Sequence, residues 1–200
     1  MPPVSPLQYQ RLFAPFYPGF DPDRFAACLT EFELDPRANL AGSSFGQRKK
    51  CLLGFALAAN CALTLLDEPT NALDIPSKTQ FRCLLESMHA EERLFLIASH
   101  QVRDLEECLH RVLILDSGRM IFHHSMEAVE ACLSAEIQAE APDPKGVLFS
   151  EAGRGGYRVV REGSGRESAP LDLELLFNTV IQDPETIAEV FQRRSSGHAG

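Results

Sequence analysis

Basic residues are in the minority in this chain. Its 19 Lys and Arg face 28 Asp and Glu, a formal net charge of -9 at pH 7, which argues against a mainly electrostatic grip on nucleic acid or anionic lipid. Long apolar runs are lacking too. The longest, Cys51 to Leu66, contains Gly54 and Thr64 and is broken by Asn60, whereas about 20 apolar residues are needed to cross the hydrocarbon core, so no direct membrane insertion is expected. Met1 to Pro15 shows no basic region followed by an apolar run and hence no secretory signal. The six cysteines (Cys28, Cys51, Cys61, Cys83, Cys108, Cys132) form no CxxC pair. Several lie in apolar surroundings, which reads as reduced thiols of a cytosolic protein rather than a disulfide framework or metal site. No internal repeat is evident. Also missing is GxxxxGK[ST], the loop whose backbone and lysine cradle the β- and γ-phosphates of a nucleotide. Ser77-Lys78-Thr79 lacks its glycines, and Gly163-Ser164-Gly165-Arg166 lacks its lysine.

What is present is the composition of a soluble globular chain, 44% hydrophobic and 24% charged over 200 residues, enough for one sizeable domain or for a domain with a small appendage. Leu7 to Phe16 and Asp23 to Phe32 read as short helices around the turn-forming Pro18-Gly19-Phe20-Asp21-Pro22. Gly46 to Ala59 reads as a helix that is apolar on most sides after a basic first turn, and therefore buried. Ala62 to Leu66 and Leu94 to Ala98 are continuous apolar runs, expected as strands covered on both faces. Between them Pro76 opens a helix from Ser77 to about Met88. Val102 to Leu109 is expected as a short acidic helix, Val112 to Leu115 as a third strand, and Ser117-Gly118 as the turn into a hairpin ending at Phe122. This alternation implies an α/β domain with a largely parallel sheet. Beyond it come strands at Val147 to Phe149 and Tyr157 to Arg161, Gly-rich turns at 153–156 and 163–165, helices at Leu171 to Val180 and Glu185 to Gln192, and a frayed tail.

The chemistry is concentrated in Leu63-Thr64-Leu65-Leu66-Asp67-Glu68-Pro69-Thr70. An apolar strand ending in two carboxylates delivers them to the C-terminal edge of a sheet, where open α/β sheets bind ligands. A first carboxylate there suits Mg²⁺ together with phosphate oxygens, and a second can orient or polarise an attacking water.

Asp67-Glu68-Pro69-Thr70 followed by Asn71-Ala72-Leu73-Asp74 resembles the Walker B motif and D-loop of ATP-binding cassette (ABC) ATPases. Upstream, Ser43-Ser44-Phe45-Gly46-Gln47-Arg48-Lys49-Lys50 is similar to that family's signature, usually LSGGQ followed by basic residues. Downstream, Leu94-Phe95-Leu96-Ile97-Ala98-Ser99-His100 resembles the strand leading to its switch histidine. The likeness covers roughly Leu7 to Phe122. Two positions depart from the pattern: Ser43 stands for the usual leucine and Phe45 for the first signature glycine, a residue that permits close backbone approach to phosphate.

The resemblance implies an α/β, partial P-loop NTPase fold, with ATP and Mg²⁺ as the ligands of an intact parent. Asp67 would hold Mg²⁺, through water, and Glu68 would orient or deprotonate the attacking water. His100 would sense the γ-phosphate. Asn71 and Asp74 belong to the D-loop, with Asp74 reporting across a dimer interface. Ser44, Gly46 and Gln47, at a helix start that favours anions, would meet the γ-phosphate of ATP held by a second ATPase subunit. Arg48, Lys49 and Lys50 read equally as a solvated turn or as nucleotide contacts. The organisation expected is a partial ABC ATPase domain over 1–137 (helical subdomain from about 7–60, Walker B to switch region 61–123), a linker at 138–145, a small α+β appendage at 146–193 and a flexible tail at 194–200.

The function implied is the ATP-hydrolysing subunit of an ABC transporter, peripheral to the cytoplasmic membrane through a permease subunit and present as an N-terminally incomplete chain. Such a chain alone is expected to be inactive, and its strand 94–98 to be an aggregation-prone edge unless a partner covers it. Two alternatives stand beside this: a non-catalytic remnant or interaction module offering its signature helix to an intact ATPase, and a soluble ribosome-associated ABC protein. Ala72, in place of the histidine of a DEPTNHLD-like D-loop, weighs against the latter.

Overall fold

A computed structural model describes residues 3–88, 93–153, 155–163 and 171–197. The chain divides into two compact units, Met1–Cys108 and Leu109–Gly200.

The first unit opens with α1 (Pro6–Phe13), extended by a 3₁₀ turn at Ala14–Phe16, then α2 (Pro22–Glu31) and α3 (Phe45–Ala58). Each α-helix has a side-chain cap, Ser5, Asp21 and Ser44 respectively, accepting from a backbone N–H of the first turn, which satisfies donors that a helix start leaves over. The core gathers on Phe55 of α3, whose ring meets Tyr9 at 5.1 Å, Phe20 at 4.9 Å and Phe25 at 5.9 Å between centroids. Buried Leu29, Leu40, Cys51 and Ala58 close it. Burial pushes the Cys28 and Cys51 thiols up to about 11, so they behave as small core residues.

After α3 comes β1 (Leu63–Asp67), then α4 (Ile75–Ser87) and β2 (Leu94–Ala98). β1 and β2 pair in parallel, Leu63 opposite Leu94 through Asp67 opposite Ala98. Neither is covered on both faces, as their continuous apolar runs led one to expect. Thr64 and Leu66 are buried, while Leu63 (50% exposed), Leu65 (67%), Leu94 (62%) and Leu96 (46%) share an open face. In-register parallel partners point the same way, and among the described residues of this unit no further strand joins the pair. The expected acidic helix at 102–109 is instead two 3₁₀ turns, Val102–Asp104 and Glu106–Cys108, tied to α4 by Lys78–Asp104 (2.6 Å) and Arg82–Glu107 (2.8 Å) ion pairs.

The second unit begins with the hairpin β3 (Arg111–Asp116) and β4 (Arg119–Ser125). Its two-residue turn has Ser117 at φ 49° and Gly118 at φ 76°, the left-handed pair that matches strand twist. These strands form their own antiparallel sheet, so among the described residues the parallel pairing is confined to β1 and β2. Then follow α5 (Met126–Cys132), β5 (Leu133–Gln138), β6 (Val147–Gly153), β7 (Gly156–Glu162), α6 (Leu173–Gln182) and α7 (Pro184–Gly197). β5, β7 and β6 make an antiparallel sheet in that order. The segment 139–146, expected at 138–145 as an interdomain linker, therefore joins two strands of one sheet, and the unit boundary lies ahead of the hairpin. α7 runs through most of the expected tail because Arg193 pairs with Glu162 at 3.1 Å and the Arg194 guanidinium donates to the Ala131 carbonyl. Residues 198–200, and the glycine turn expected at 163–165 beyond Gly163, lie outside the described residues.

Candidate functional site

All the candidate residues fall in the first unit, on three segments that converge at the C-terminal end of β1. The β1 ladder extends one step past the strand, with Glu68 N–H donating to the Ala98 carbonyl at 2.8 Å. There the backbone turns sharply: Glu68 has φ 46° and Ala72 φ 62°, left-handed values that cost side-chain-bearing residues energy. The turn is closed by Asn71 N–H donating to the Glu68 carbonyl (3.2 Å) and Leu73 N–H to that of Thr70 (3.1 Å).

The turn aims the Glu68 carboxylate at the loop after β2. Ser99 Oγ donates to Oε2 at 3.0 Å, and the His100 N–H donates to Oε1 at 2.9 Å. His100 Nδ1 lies 2.5 Å from the same oxygen. The His100 side chain, followed by its N–H and Ser99, holds the Glu68 carboxyl below its ordinary 4.5. Because a carboxylate only accepts, Nδ1 must carry the proton, which leaves Nε2 as the outward-facing nitrogen. It donates only if the ring is doubly protonated. Asp67 stands beside Glu68 at the strand end, exposed.

α3 approaches from the other side. Ser44 Oγ accepts from Gln47 N–H at 3.2 Å and Gln47 Oε1 accepts from Ser44 N–H at 2.9 Å, a reciprocal capping box. Ser44 Oγ–H and Gln47 Nε2 are left as exposed donors. Gly46 is where the helix meets the D-loop turn: a Cβ built there would lie 2.9 Å from the Ala72 carbonyl oxygen. This glycine is thus explained by packing within the chain. Asp74 is the N-cap of α4, accepting from Ser77 N–H at 3.0 Å, and hydrogen bonding to the Ser77 side chain first, then to that N–H, holds its carboxyl below 3.8.

Of the three basic residues in α3, Arg48 turns back to the Ser44 carbonyl (3.4 Å), while Lys49 reaches in and donates from Nζ to the Glu68 carbonyl. Burial draws the Lys49 ammonium below 10.5, opposed by the negative charges of Glu68 and Asp67. Neither expectation for the basic run, solvated turn or nucleotide contact, anticipated this contact. Between α3 and the end of β1 lies a cleft of about 460 Å³, walled by Phe45, Lys49, Leu52, Leu65 and Leu66 with Asp67 among its lining.

Among the described residues no group of three or more His, Cys, Asp or Glu is placed to hold a metal ion. Asp67 offers one exposed carboxylate at the strand end, a hard oxygen donor of the kind that Mg²⁺ takes together with phosphate oxygens and water.

No family model matches the chain. Curated relatives do. It is 30% identical over 90 residues to the ABC transporter ATP-binding protein NatA of Bacillus subtilis, covering 45% of this chain and 37% of that protein. With the aliphatic sulfonates import ATP-binding protein SsuB of Burkholderia pseudomallei it shares 37% over 103 residues, 50% of this chain and 32% of that one. With the cobalt import ATP-binding protein CbiO of Salmonella paratyphi A it shares 31% over 101 residues, 50% of this chain and 37% of that one. The matches thus take in about a third of each of these relatives. Among solved structures, the ATP-binding subunit of an ABC transporter superposes with a TM-score of 0.56 at 21% identity, over 64% of this chain and 55% of that one. The ATP-binding cassette MJ0796, a dimer in a post-hydrolysis state bound to ADP and Pi, gives 0.53 at 23%, over 63% and 58%.

Proposed function

We propose, from a chain homologous over about half its length to ABC transporter ATP-binding proteins and carrying part of the ABC ATPase fold, that it supplies the water-activating and signature elements of an ABC-type ATPase energising a membrane permease. The observation that carries the reading is the Glu68 carboxylate. It stands at the C-terminal edge of a parallel strand and is held by Ser99 and His100, 31 and 32 residues away in sequence.

In this reading Glu68 accepts a proton from, or orients, the attacking water, work worth about 10²–10⁴-fold for a positioned base. Its bonds to Ser99 and His100 keep it ionised and aimed. Asp67 would hold Mg²⁺, which when bound neutralises charge on the phosphates. His100 Nε2 is the atom left to meet the γ-phosphate, donating when the ring is protonated at both nitrogens. Ser44, Gly46 and Gln47 present the start of α3 to a nucleotide held by a second subunit, and Asn71 and Asp74 lie on the turn that packs against Gly46. The chain contains no GxxxxGK[ST], so the phosphate cradle must come from another segment or chain. No helix of the described residues is long and apolar enough to cross a membrane, and the reading places the protein on the cytoplasmic face through its permease.

The test mixes the chain with a complete cassette ATPase whose own water-activating glutamate is changed to glutamine. ATP- and Mg²⁺-dependent association, abolished by Ser44→Arg, is expected. ATP turnover by the chain alone should not exceed that of its Glu68→Gln variant. Association indifferent to both ATP and Ser44→Arg would refute the signature assignment.

A further inference from the structure

We propose that Lys49 is a positioning residue for Glu68: by donating to the Glu68 carbonyl it fixes the left-handed turn from which the carboxylate reaches Ser99 and His100, and so ties that carboxylate's aim to the start of α3. The consequence for catalysis rests on Glu68 acting on water, but the linkage itself does not.

Three observations meet here. First, Glu68 is a side-chain-bearing residue at φ 46°, a conformation that persists only where its surroundings hold it. Second, its carbonyl is held twice, by Asn71 N–H at 3.2 Å from within the turn and by Lys49 Nζ from α3. A carbonyl oxygen has two lone pairs, and both are used. Third, the other end of the same residue is also fixed, by Ser99 Oγ and by the N–H and Nδ1 of His100. Glu68 is therefore strung between α3 and the loop after β2, and Lys49 is the side chain that makes the α3 end.

The geometry implies a direction of control. Lys49 lies five residues after Ser44 on the same helix, so a displacement of the α3 start moves the Lys49 stem with it. Losing the ammonium leaves Asn71 alone on the carbonyl and frees the peptide after Glu68 to rotate out of its left-handed state. The carboxylate then swings from Ser99 and His100. A ligand or partner engaging Ser44 and Gln47 is thereby felt at Glu68 of the same chain.

The experiment uses the whole 200-residue chain, isotope-labelled, with Lys49→Met (similar reach, no donor) and Lys49→Gln (a neutral donor). In the unsubstituted protein, a through-hydrogen-bond coupling is expected between the Lys49 side-chain nitrogen and the Glu68 carbonyl carbon. The His100 amide should exchange slowly for so exposed a loop. Lys49→Met should speed that exchange about tenfold or more, as loss of a hydrogen bond to a charged group requires, while amides inside α3 keep their protection. Lys49→Gln should restore it. Unchanged His100 exchange in Lys49→Met overturns the proposal. So does Lys49→Gln behaving like Lys49→Met, which would reduce Lys49 to a nearby charge. If Lys49→Met does not fold, the coupling in the unsubstituted protein decides, and its absence is fatal. Nucleotide enters none of these readings, so failure of the ATPase assignment would leave them standing.

Discussion

Replacing Gly46 by alanine places a methyl carbon 2.9 Å from the Ala72 carbonyl oxygen, where an unstrained carbon–oxygen contact is about 3.3 Å or longer. Something must yield by about 0.4 Å, and the obstacle is backbone, not the end of a flexible side chain. Overpacking of this kind costs about 1–3 kcal/mol. The gain from alanine over glycine within a helix is at most about 1 kcal/mol, and smaller in a first turn. A net loss of about 1–2 kcal/mol is expected for Gly46→Ala. The obstacle itself has a soft spot, because Ala72 sits at φ 62° and glycine there would let the peptide swing. The penalty should therefore shrink by at least about 0.5 kcal/mol in an Ala72→Gly background, a coupling that a double-mutant cycle resolves. Urea unfolding followed by tyrosine fluorescence is the assay, since Tyr9 and Tyr17 both lie in the first unit. A loss of about 1 kcal/mol lowers the midpoint by roughly 0.3–1 M. An unchanged or raised midpoint for Gly46→Ala, or the same drop with and without Ala72→Gly, would refute the packing explanation and return Gly46 to a role in ligand approach alone.

The open apolar face of β1 and β2 should drive self-association, so Leu65→Lys is expected to lower the light-scattering mass of concentrated samples while leaving circular dichroism unchanged; equal association in both proteins would show that this face is not the contact. At the start of α7, Asp183 accepts from Thr186 N–H at 3.1 Å, and hydrogen bonding to the Thr186 side chain first, then to that N–H, holds its carboxyl below the ordinary 3.8. A depressed carboxylate stabilises the fold above its unfolded value, and that contribution is lost as pH falls. Exchange protection of the Thr186 amide should thus be full above pH 3.8 and decline below it. An Asp183→Asn variant should show a flat profile over that interval, and a decline as steep as in the parent would assign the effect elsewhere.

Much of the first unit was legible because its signals are local. α3 begins within a residue of expectation, since Ser44 and Gln47 make a capping box that needs nothing beyond the first turn. β1 and β2 were located by their apolar runs. Their one-sided burial was not legible, because a run such as Leu63 to Leu66 records what a strand can bury, not what arrives to cover it. At 102–109 the segment was too short for periodicity to separate an α-helix from two 3₁₀ turns. β5 was missed although Leu133 and Ala135 alternate with Ser134 and Glu136, because no turn residue separates it from α5. At the site, Asp67, Glu68 and His100 stood out as motif residues, yet the bonds joining Glu68 to Ser99 and His100 depend on a left-handed turn that composition does not announce. Arg48, Lys49 and Lys50 were indistinguishable in sequence. A helix rotates each successive side chain by about 100°, and only that phase sends Lys49 inward.

The capping box at the start of α3 also fixes what any incoming anion would find. Four backbone N–H groups there are outside the helix ladder, and Ser44 and Gln47 occupy each other's. The Phe45 and Gly46 amides remain, a two-pronged fork on the axis of a helix whose positive pole faces outward. The phenylalanine that replaces a glycine thus leaves its donor in place. Its ring, 62% exposed, forms an apolar lip beside the fork. Whatever approaches that helix start therefore meets two backbone donors beside an apolar rim.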